Sequence, residues 1–135
     1  MVRLRQIAKL ANQVIVGVTL GAVAEALTLA ARAGANPAAV RTALAGGFAD
    51  SRILQEHGAR MLAGEFTPGG TVKNQIKDLK TAMALAGESQ LDLPLLEATR
   101  AQFQAIAESL GDQLDHSAIY KLLMERSAPT PDRVQ

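Results

Sequence analysis

Residues 4–33, with the sequence LRQIAKLANQVIVGVTLGAVAEALTLAARA, decide the fold. This stretch contains no proline and is rich in Ala and Leu, which are strong helix formers, so it predicts one long helix. Between Val14 and Ala31 the predicted helix is apolar on nearly all sides, which is typical of a helix in the middle of a core. Gly34 follows as the predicted C-cap.

The rest of the chain is divided by residues that begin and end helices. Asn, Asp and Ser favour N-caps, proline favours the first turn, and glycine favours the end. These signals predict a second helix from Asn36-Pro37 to Gly46-Gly47, a third capped by Asp50 or Ser51, a fourth over Val72–Ala86, a fifth from Asp92 to Leu110, and a sixth from Asp115 or Ser117 to Arg126. We therefore predict an all-α domain over residues 1–127, with about six helices around the long first one, and a tail over 128–135.

Charge and cysteine content exclude several classes of protein. With 14 basic and 13 acidic residues the net charge is +1, which gives no electrostatic case for binding nucleic acid or an anionic membrane. Cysteine is absent, so disulfides and thiolate sites are excluded, and we expect a cytoplasmic protein. We expect His57 and His116 to be far apart, and neither has ligand-spaced carboxylates, so no metal site is predicted.

The apolar run in the first helix raises the question of a membrane span. Residues 14–24 carry no charge, but about 11 residues are too few for a bilayer, which needs roughly 20. A buried core helix is the favoured interpretation. Gly17 and Gly21 would then mark a place where another helix approaches closely.

Lys9, Asn12 and Gln13 form the first candidate site. Positions i, i+3 and i+4 share one face of a helix, so an ammonium and two amides converge there. The ammonium could donate a proton to an oxygen that gains negative charge, and the amides could orient a small ligand. The alternative is a polar patch where the helix enters the core.

Lys77 and Asp78 form the second candidate site. Lys77 shares a stripe with Lys73 and Lys80, on a different face from the predicted core residues of the fourth helix. The alternative is therefore a solvated helix face. Asp78 could pair with a nearby cation.

Taken together, several segments resemble one enzyme family. They are Lys9-Leu-Ala-Asn-Gln13, Glu25-Ala-Leu-Thr-Leu-Ala30, Gly34-Ala-Asn-Pro37, Phe66-Thr-Pro-Gly69, Ile76-Lys-Asp-Leu79, Leu93-Pro94-Leu95 and Asp115-His-Ser-Ala118. Their order and spacing are similar to the C-terminal helical domain of the β-hydroxyacid dehydrogenases, above all the 2-hydroxy-3-oxopropionate reductases and then the 3-hydroxyisobutyrate dehydrogenases. The resemblance covers about residues 5–127.

The resemblance implies a role for each candidate residue. Lys9 matches the catalytic lysine, which protonates the aldehyde oxygen as hydride arrives from the nicotinamide. Asn12 and Gln13 match the substrate-binding polar pair, and Lys77 and Asp78 match a lysine near the cofactor and its acidic neighbour. The cofactor would be NAD or NADP, bound mainly by an N-terminal Rossmann domain that this sequence lacks.

One departure leaves two hypotheses open. Relatives commonly have an aromatic residue after the Pro-Gly of the loop, whereas here Gly70 follows, which should remove an apolar wall of the cleft and loosen the loop. The first hypothesis is a domain of an oxidoreductase acting on a small 3-hydroxy or 3-oxo acid, inactive by itself. The second is a non-enzymatic helical association module derived from that family. The second hypothesis predicts a homodimer or larger homo-oligomer, because an apolar domain that normally packs against a partner exposes an apolar surface when it is isolated.

Overall fold

The computed structural model describes residues 2–127, so the predicted tail over 128–135 lies outside the described residues. Its elements are α1 (Val2–Arg32), α2 (Pro37–Leu44), α3 (Arg52–Ala63), α4 (Val72–Glu88), α5 (Pro94–Leu110), a 3₁₀ turn (His116–Ala118) and α6 (Ile119–Arg126). Within the described range the β pairing amounts to an isolated bridge between Thr71 and Asp115. The all-α prediction is confirmed, and the ends of α1, α2 and α4 lie within two residues of their predicted positions.

Helix α1 is the centre of the fold and contacts every other helix. Its inward side contributes Leu20, Ala24 and Leu27, each fully buried, to the single large core cluster. The predicted central position of α1 is confirmed, but the helix is not buried on every side. Ile15 and Leu29 are 65% and 71% exposed, so one side of the central helix presents an apolar surface to solvent.

The whole of α1, and not only its uncharged run, is long enough to be compared with a membrane-spanning helix. By length and composition, Arg3–Arg32 is apolar enough to cross a membrane, with a mean hydropathy of 2.0 in its best window. The uncharged run ends before Glu25, but a longer window tolerates one charge. Core helices of soluble proteins pass the same test, so a single such helix is weak evidence.

The structure decides between the two predicted caps of α3 and corrects the predicted cap of α5. Ser51, not Asp50, caps α3, because its Oγ accepts a 2.9 Å hydrogen bond from the N–H of Leu54. Asp92 does not cap α5. Leu93 occupies that N-cap position and makes no side-chain cap hydrogen bond, so the proline in the first turn is the remaining start signal.

The loop between α3 and α4 is joined to the segment between α5 and α6. The N–H of Asp115 donates to the carbonyl of Phe66 at 3.0 Å, and the N–H of His116 donates to the carbonyl of Gly70 at 2.8 Å. The N–H of Val72 donates in turn to the carbonyl of Leu114 at 2.9 Å. These bonds place His116 beside the first turn of α4.

Candidate functional site

The two candidate segments meet between α1 and α4. Nε2 of Gln13 donates a 3.0 Å hydrogen bond to Oδ2 of Asp78, and Nδ2 of Asn12 donates to Oε1 of Gln13 at 3.2 Å. The helices run antiparallel here, because Ile7, early in α1, lines a cavity together with Ala86, late in α4, whereas Gly17 meets Gln75 and Leu79. Residues brought together by this crossing lie 65 positions apart in the sequence.

Lys9 and Lys77 lie exposed on the two helices of this crossing. Lys9 precedes Gln13 by one helical turn, so the two share a face of α1. Among residues 2–127, neither lysine takes part in an ion pair. Asp78 was expected to pair with a nearby cation, but it takes part in no ion pair within residues 2–127. Its carboxylate instead accepts a hydrogen bond from the neutral amide of Gln13.

The lysine stripe of α4 is exposed to solvent, which agrees with the alternative interpretation of the second candidate site as a solvated helix face. Lys73, Lys77 and Lys80 are all exposed, whereas Ile76 and Leu79, on a different face of the helix, are buried. The stripe and the core face of α4 therefore separate cleanly, and Asp78 lies at the border between them as a half-buried residue.

Gln75 belongs to the site but was not identified in the sequence. It is 2% exposed, Nε2 donates to the backbone carbonyl of Gln13 at 3.3 Å, and Oε1 lies 3.2 Å from Nδ1 of His116. A signal was present, since Gln75 falls three residues after Val72 and four before Leu79, on the apolar face of α4. A polar residue on such a face must find partners when it is buried.

Gly17 makes room for this amide. A Cβ atom on Gly17 would lie 2.9 Å from Nε2 of Gln75, 3.3 Å from Leu79 and 3.4 Å from Thr99. The prediction that Gly17 marks a close helix approach is therefore confirmed for α4 and α5. At Gly21 the corresponding distance, to Ile119, is 3.8 Å, an ordinary contact.

Asp115 ties together the loops next to the crossing. It is fully buried, Oδ1 accepts from the N–H groups of Gly69 and Gly70 and from Arg60, and Oδ2 accepts from the N–H and Oγ of Ser117. Burial raises the pKa of Asp115, but the hydrogen bonds from Ser117 and Gly69 outweigh burial and leave that pKa below its ordinary value.

His57 and His116 are not far apart, contrary to the prediction from the sequence. Their ring centroids lie 4.8 Å apart at an interplanar angle of 87°, an edge-to-face contact. The pKa of His116 is lowered, first by burial, with the charges of His57 and Arg60 adding to the effect and Asp115 opposing it. The error arose because α3 and the 3₁₀ turn become neighbours only in the folded chain.

His57, Asp115 and His116 each offer one metal-ligand atom within 4.8 Å of the others. The oxygens of Asp115 already accept five hydrogen bonds, and the Arg60 guanidinium lies 3.3 Å from one of them. A cation there would have to displace those donors, so the cluster is better suited to holding the two loops together than to binding a metal.

Gly70 is held in its loop by two hydrogen bonds of its backbone, and the expected loosening of the loop stays a prediction. Its N–H donates to Asp115 at 3.2 Å and its carbonyl accepts from the N–H of His116. A Cβ on Gly70 would lie 3.2 Å from Cε1 of His116, so glycine lets the imidazole pack against the loop backbone. The expected loss of an apolar cleft wall stays a prediction.

Comparison with known proteins places the chain in a family. Residues 5–123 match the protein-family model described as NAD-binding of NADP-dependent 3-hydroxyisobutyrate dehydrogenase. The chain is 46% identical over 118 residues to the 2-hydroxy-3-oxopropionate reductase of Escherichia coli strain K12, a match covering 87% of this chain and 40% of the relative. It is 36% identical over 109 residues to the cytokine-like nuclear factor N-PAC of Anopheles gambiae, covering 80% and 19% of the two chains.

The fold agrees with these sequence matches. The crystal structure of a 3-hydroxyisobutyrate dehydrogenase from Salmonella typhimurium superposes with a TM-score of 0.82 at 27% identity, covering 86% of this chain and 41% of that one. The chain thus spans about 40% of the length of the reductase that it matches. It belongs to the family of the 3-hydroxyisobutyrate dehydrogenases, of which it spans the helical segment described as NAD-binding.

Proposed function

We propose that this chain is the helical domain of an NAD(P)-dependent oxidoreductase that interconverts a small 3-hydroxy acid and its 3-oxo acid. The observation that carries the proposal is the hydrogen bond between Gln13 and Asp78, because it brings the two candidate segments to one face of an α1–α4 crossing. Membership of the dehydrogenase family supports the reaction class. Glycerate and tartronate semialdehyde are the proposed pair, by likeness to the bacterial 2-hydroxy-3-oxopropionate reductase.

Lys9 is the proposed catalytic residue. Its ammonium is exposed and free of ion pairs within the described chain, so it can donate a proton to the carbonyl oxygen of the 3-oxo acid. In the opposite direction the neutral amine takes the proton from the hydroxyl group. A bound nicotinamide supplies the exchange of hydride with the substrate carbon.

Asn12 and Gln13 divide the task of substrate binding. Gln13 uses Nε2 for Asp78 and Oε1 for Asn12, so its amide is largely committed within the protein. Asn12 uses one N–H for Gln13 and retains its carbonyl oxygen and second N–H for a ligand. We therefore assign direct contact with the substrate carboxylate or hydroxyl to Asn12, and orientation of Asn12 to Gln13.

Lys77 and Asp78 are proposed to face the cofactor. The exposed Lys77 ammonium suits an anionic dinucleotide, which would be NAD or NADP. Asp78 fixes Gln13 and so links the cofactor side to the substrate side. Lys9, Asn12 and Lys77 are all exposed, so a ligand bound to them would need a second wall to enclose it, and we expect the chain to be inactive by itself.

A segment exchange tests the proposal. Residues 5–123 would replace the corresponding segment of the E. coli reductase, to which the chain is 46% identical. We expect the purified hybrid to reduce tartronate semialdehyde, and the 135-residue chain to show neither turnover nor tight binding of NADH and NADPH. A folded hybrid with no turnover would overturn the proposal.

A second candidate function is a helical association module without catalysis. Its supporting observations are the apolar side chains left exposed on α1, in the segment before α5 and in the first turn of α5, and the likeness to a protein named as a nuclear factor. Those side chains, which are 57–71% exposed, include Leu4, Ile15, Leu29, Leu91 and Leu95. Both functions predict a homo-oligomer in the cytoplasm, which multi-angle light scattering of the purified chain would reveal as a mass above 14.2 kDa.

A further inference from the structure

Gln75 is a buried amide with both ends in use. It is 2% exposed among apolar neighbours of α4, and its polar atoms reach Gln13 on α1 in one direction and His116 in the other. A buried amide without partners costs about 1–3 kcal/mol, so these bonds determine how the side chain is oriented. Gln75 therefore connects the candidate site to the loop cluster around Asp115.

The orientation of Gln75 fixes the protonation of His116. Nε2 of Gln75 donates to a backbone carbonyl, which can only accept, so Oε1 must be the atom facing the imidazole. Nδ1 of His116 must then carry a proton and donate it to Oε1. The neutral ring is consequently the Nδ1–H tautomer.

Gln75 and Asp78 both form hydrogen bonds with Gln13. Gln13 is held at its backbone carbonyl by Gln75 and at its side chain by Asp78, from positions three residues apart on α4. Gly17, one turn further along α1, provides the space that the Gln75 amide needs. Two bonds to one residue of α1 restrict both sliding and rotation of this helix against α4.

We propose that Gln75, held by Nδ1–H of His116, is a positioning residue that sets the register of α1 against α4. Through that register it places Lys9 and Asn12 relative to Lys77. The catalytic consequence rests on the proposed function, whereas the hydrogen-bond arrangement does not. Displacement of a catalytic group by about 1 Å can lower turnover about 100-fold, so the register of α1 against α4 should affect the reaction rate.

Two substitutions at His116 separate a hydrogen-bond role from a packing role. The amide nitrogen of His116→Asn takes the place of Nδ1 and can donate to Gln75. The longer side chain of His116→Gln places its amide nitrogen nearer the position of Nε2 and cannot donate in the same direction. Gln75→Met keeps a similar volume and removes both hydrogen bonds.

Nuclear magnetic resonance of the 135-residue chain tests the arrangement directly. We expect long-range ¹H–¹⁵N spectra at neutral pH to show His116 as the Nδ1–H tautomer. The backbone amide signals of residues 9–13 and 77–78 should stay near their wild-type positions in His116→Asn and shift in His116→Gln. An Nε2–H tautomer, or equal shifts in the two variants, would overturn the proposal even if Gln75→Met fails to fold.

Kinetics of the hybrid enzyme test the catalytic consequence. We expect Gln75→Met to lower kcat about 10- to 100-fold with a smaller change in KM, and His116→Asn to retain more activity than His116→Gln. Unchanged kcat in Gln75→Met, with Lys9→Ala inactive, would overturn the positioning role and leave the proposed function intact. An active Lys9→Ala hybrid would instead contradict the proposed function, and the tautomer measurement would still stand.

Discussion

Gln13 and Asp78 are joined by a 3.0 Å hydrogen bond between the side-chain amide of the first and the carboxylate of the second. The bond crosses from α1 to α4 at a half-buried position, and it connects two segments that were identified separately in the sequence. Since Lys9 and Lys77 lie on the same two helices, a fixed α1–α4 contact is what would make them parts of one site.

The Gln13–Asp78 bond should contribute measurably to stability. Gln13→Leu leaves the half-buried carboxylate of Asp78 without its donor, and we expect a loss of about 1.5–3 kcal/mol in the free energy of unfolding. Gln104→Leu is the matched control, because Gln104 bonds only to Glu108 on the surface of α5, where such pairs contribute about 0.2–0.5 kcal/mol. Urea denaturation, monitored by circular dichroism, measures the free energy of unfolding of both variants. Equal losses would show that the Gln13–Asp78 hydrogen bond stabilises the protein no more than the surface bond of Gln104 does.

Gly17→Ala should destabilise the protein, although alanine favours helices. The new methyl group would lie 2.9 Å from Nε2 of Gln75 and would displace a buried amide, which we expect to cost about 1–3 kcal/mol. Gly87→Ala, in α4, is the control, because a Cβ there meets nothing within 4 Å. That variant should gain up to about 1 kcal/mol from helix propensity. Thermal melts that moved in the same direction for both variants would count against this account of Gly17.

Asp115→Asn should be the most damaging single-atom change near the site. It replaces a fully buried carboxylate that accepts five hydrogen bonds, one of them from Arg60, and we expect a loss of about 3 kcal/mol or more. Asp112→Asn changes a side chain bonded only to its neighbour Gln113 and should cost less than about 0.5 kcal/mol. Chemical denaturation compares the two, and a mild Asp115→Asn variant would refute the central role of this carboxylate.

Stability should fall in two steps as the pH is lowered. The pKa of His116 is below its unfolded value of 6.5, so the unfolded chain binds a proton first and stability decreases as pH falls through 6.5 toward the folded pKa. The pKa of Asp115 is below 3.8, so its contribution is present above pH 3.8 and is lost as pH falls through the folded pKa. His116→Asn should remove the first step, and urea midpoints between pH 7 and 5 that keep their wild-type slope would contradict this.

The fold could be predicted because helix signals are local. The composition of residues 4–33, the Asn36-Pro37 start and the Ser51 cap each act within a few residues, and the structure has helices where these signals place them. The predicted Asp92 cap is wrong because a cap depends on backbone geometry as well as residue type. The exposed side of α1 is a property of tertiary packing, which periodicity does not specify.

The candidate site could be predicted only in part, because its remaining members depend on contacts between distant segments. Lys9 and Gln13 are related by helical spacing, but nothing in that spacing indicates that Gln75 bonds to Gln13. The contact between His57 and His116 likewise requires α3 and the 3₁₀ turn to be neighbours. A polar residue on the apolar face of α4 was the one available clue, and it identifies Gln75.

Turnover of Lys9→Ala in the hybrid enzyme tests the central claim most directly. Lys121→Ala, which removes an exposed lysine of α6, serves as the matched control. We predict that Lys9→Ala lowers kcat for tartronate semialdehyde reduction about 10²- to 10⁴-fold with an unchanged circular dichroism spectrum, while Lys121→Ala remains active. Equal turnover in the two folded variants would contradict the assignment of Lys9 as the proton donor.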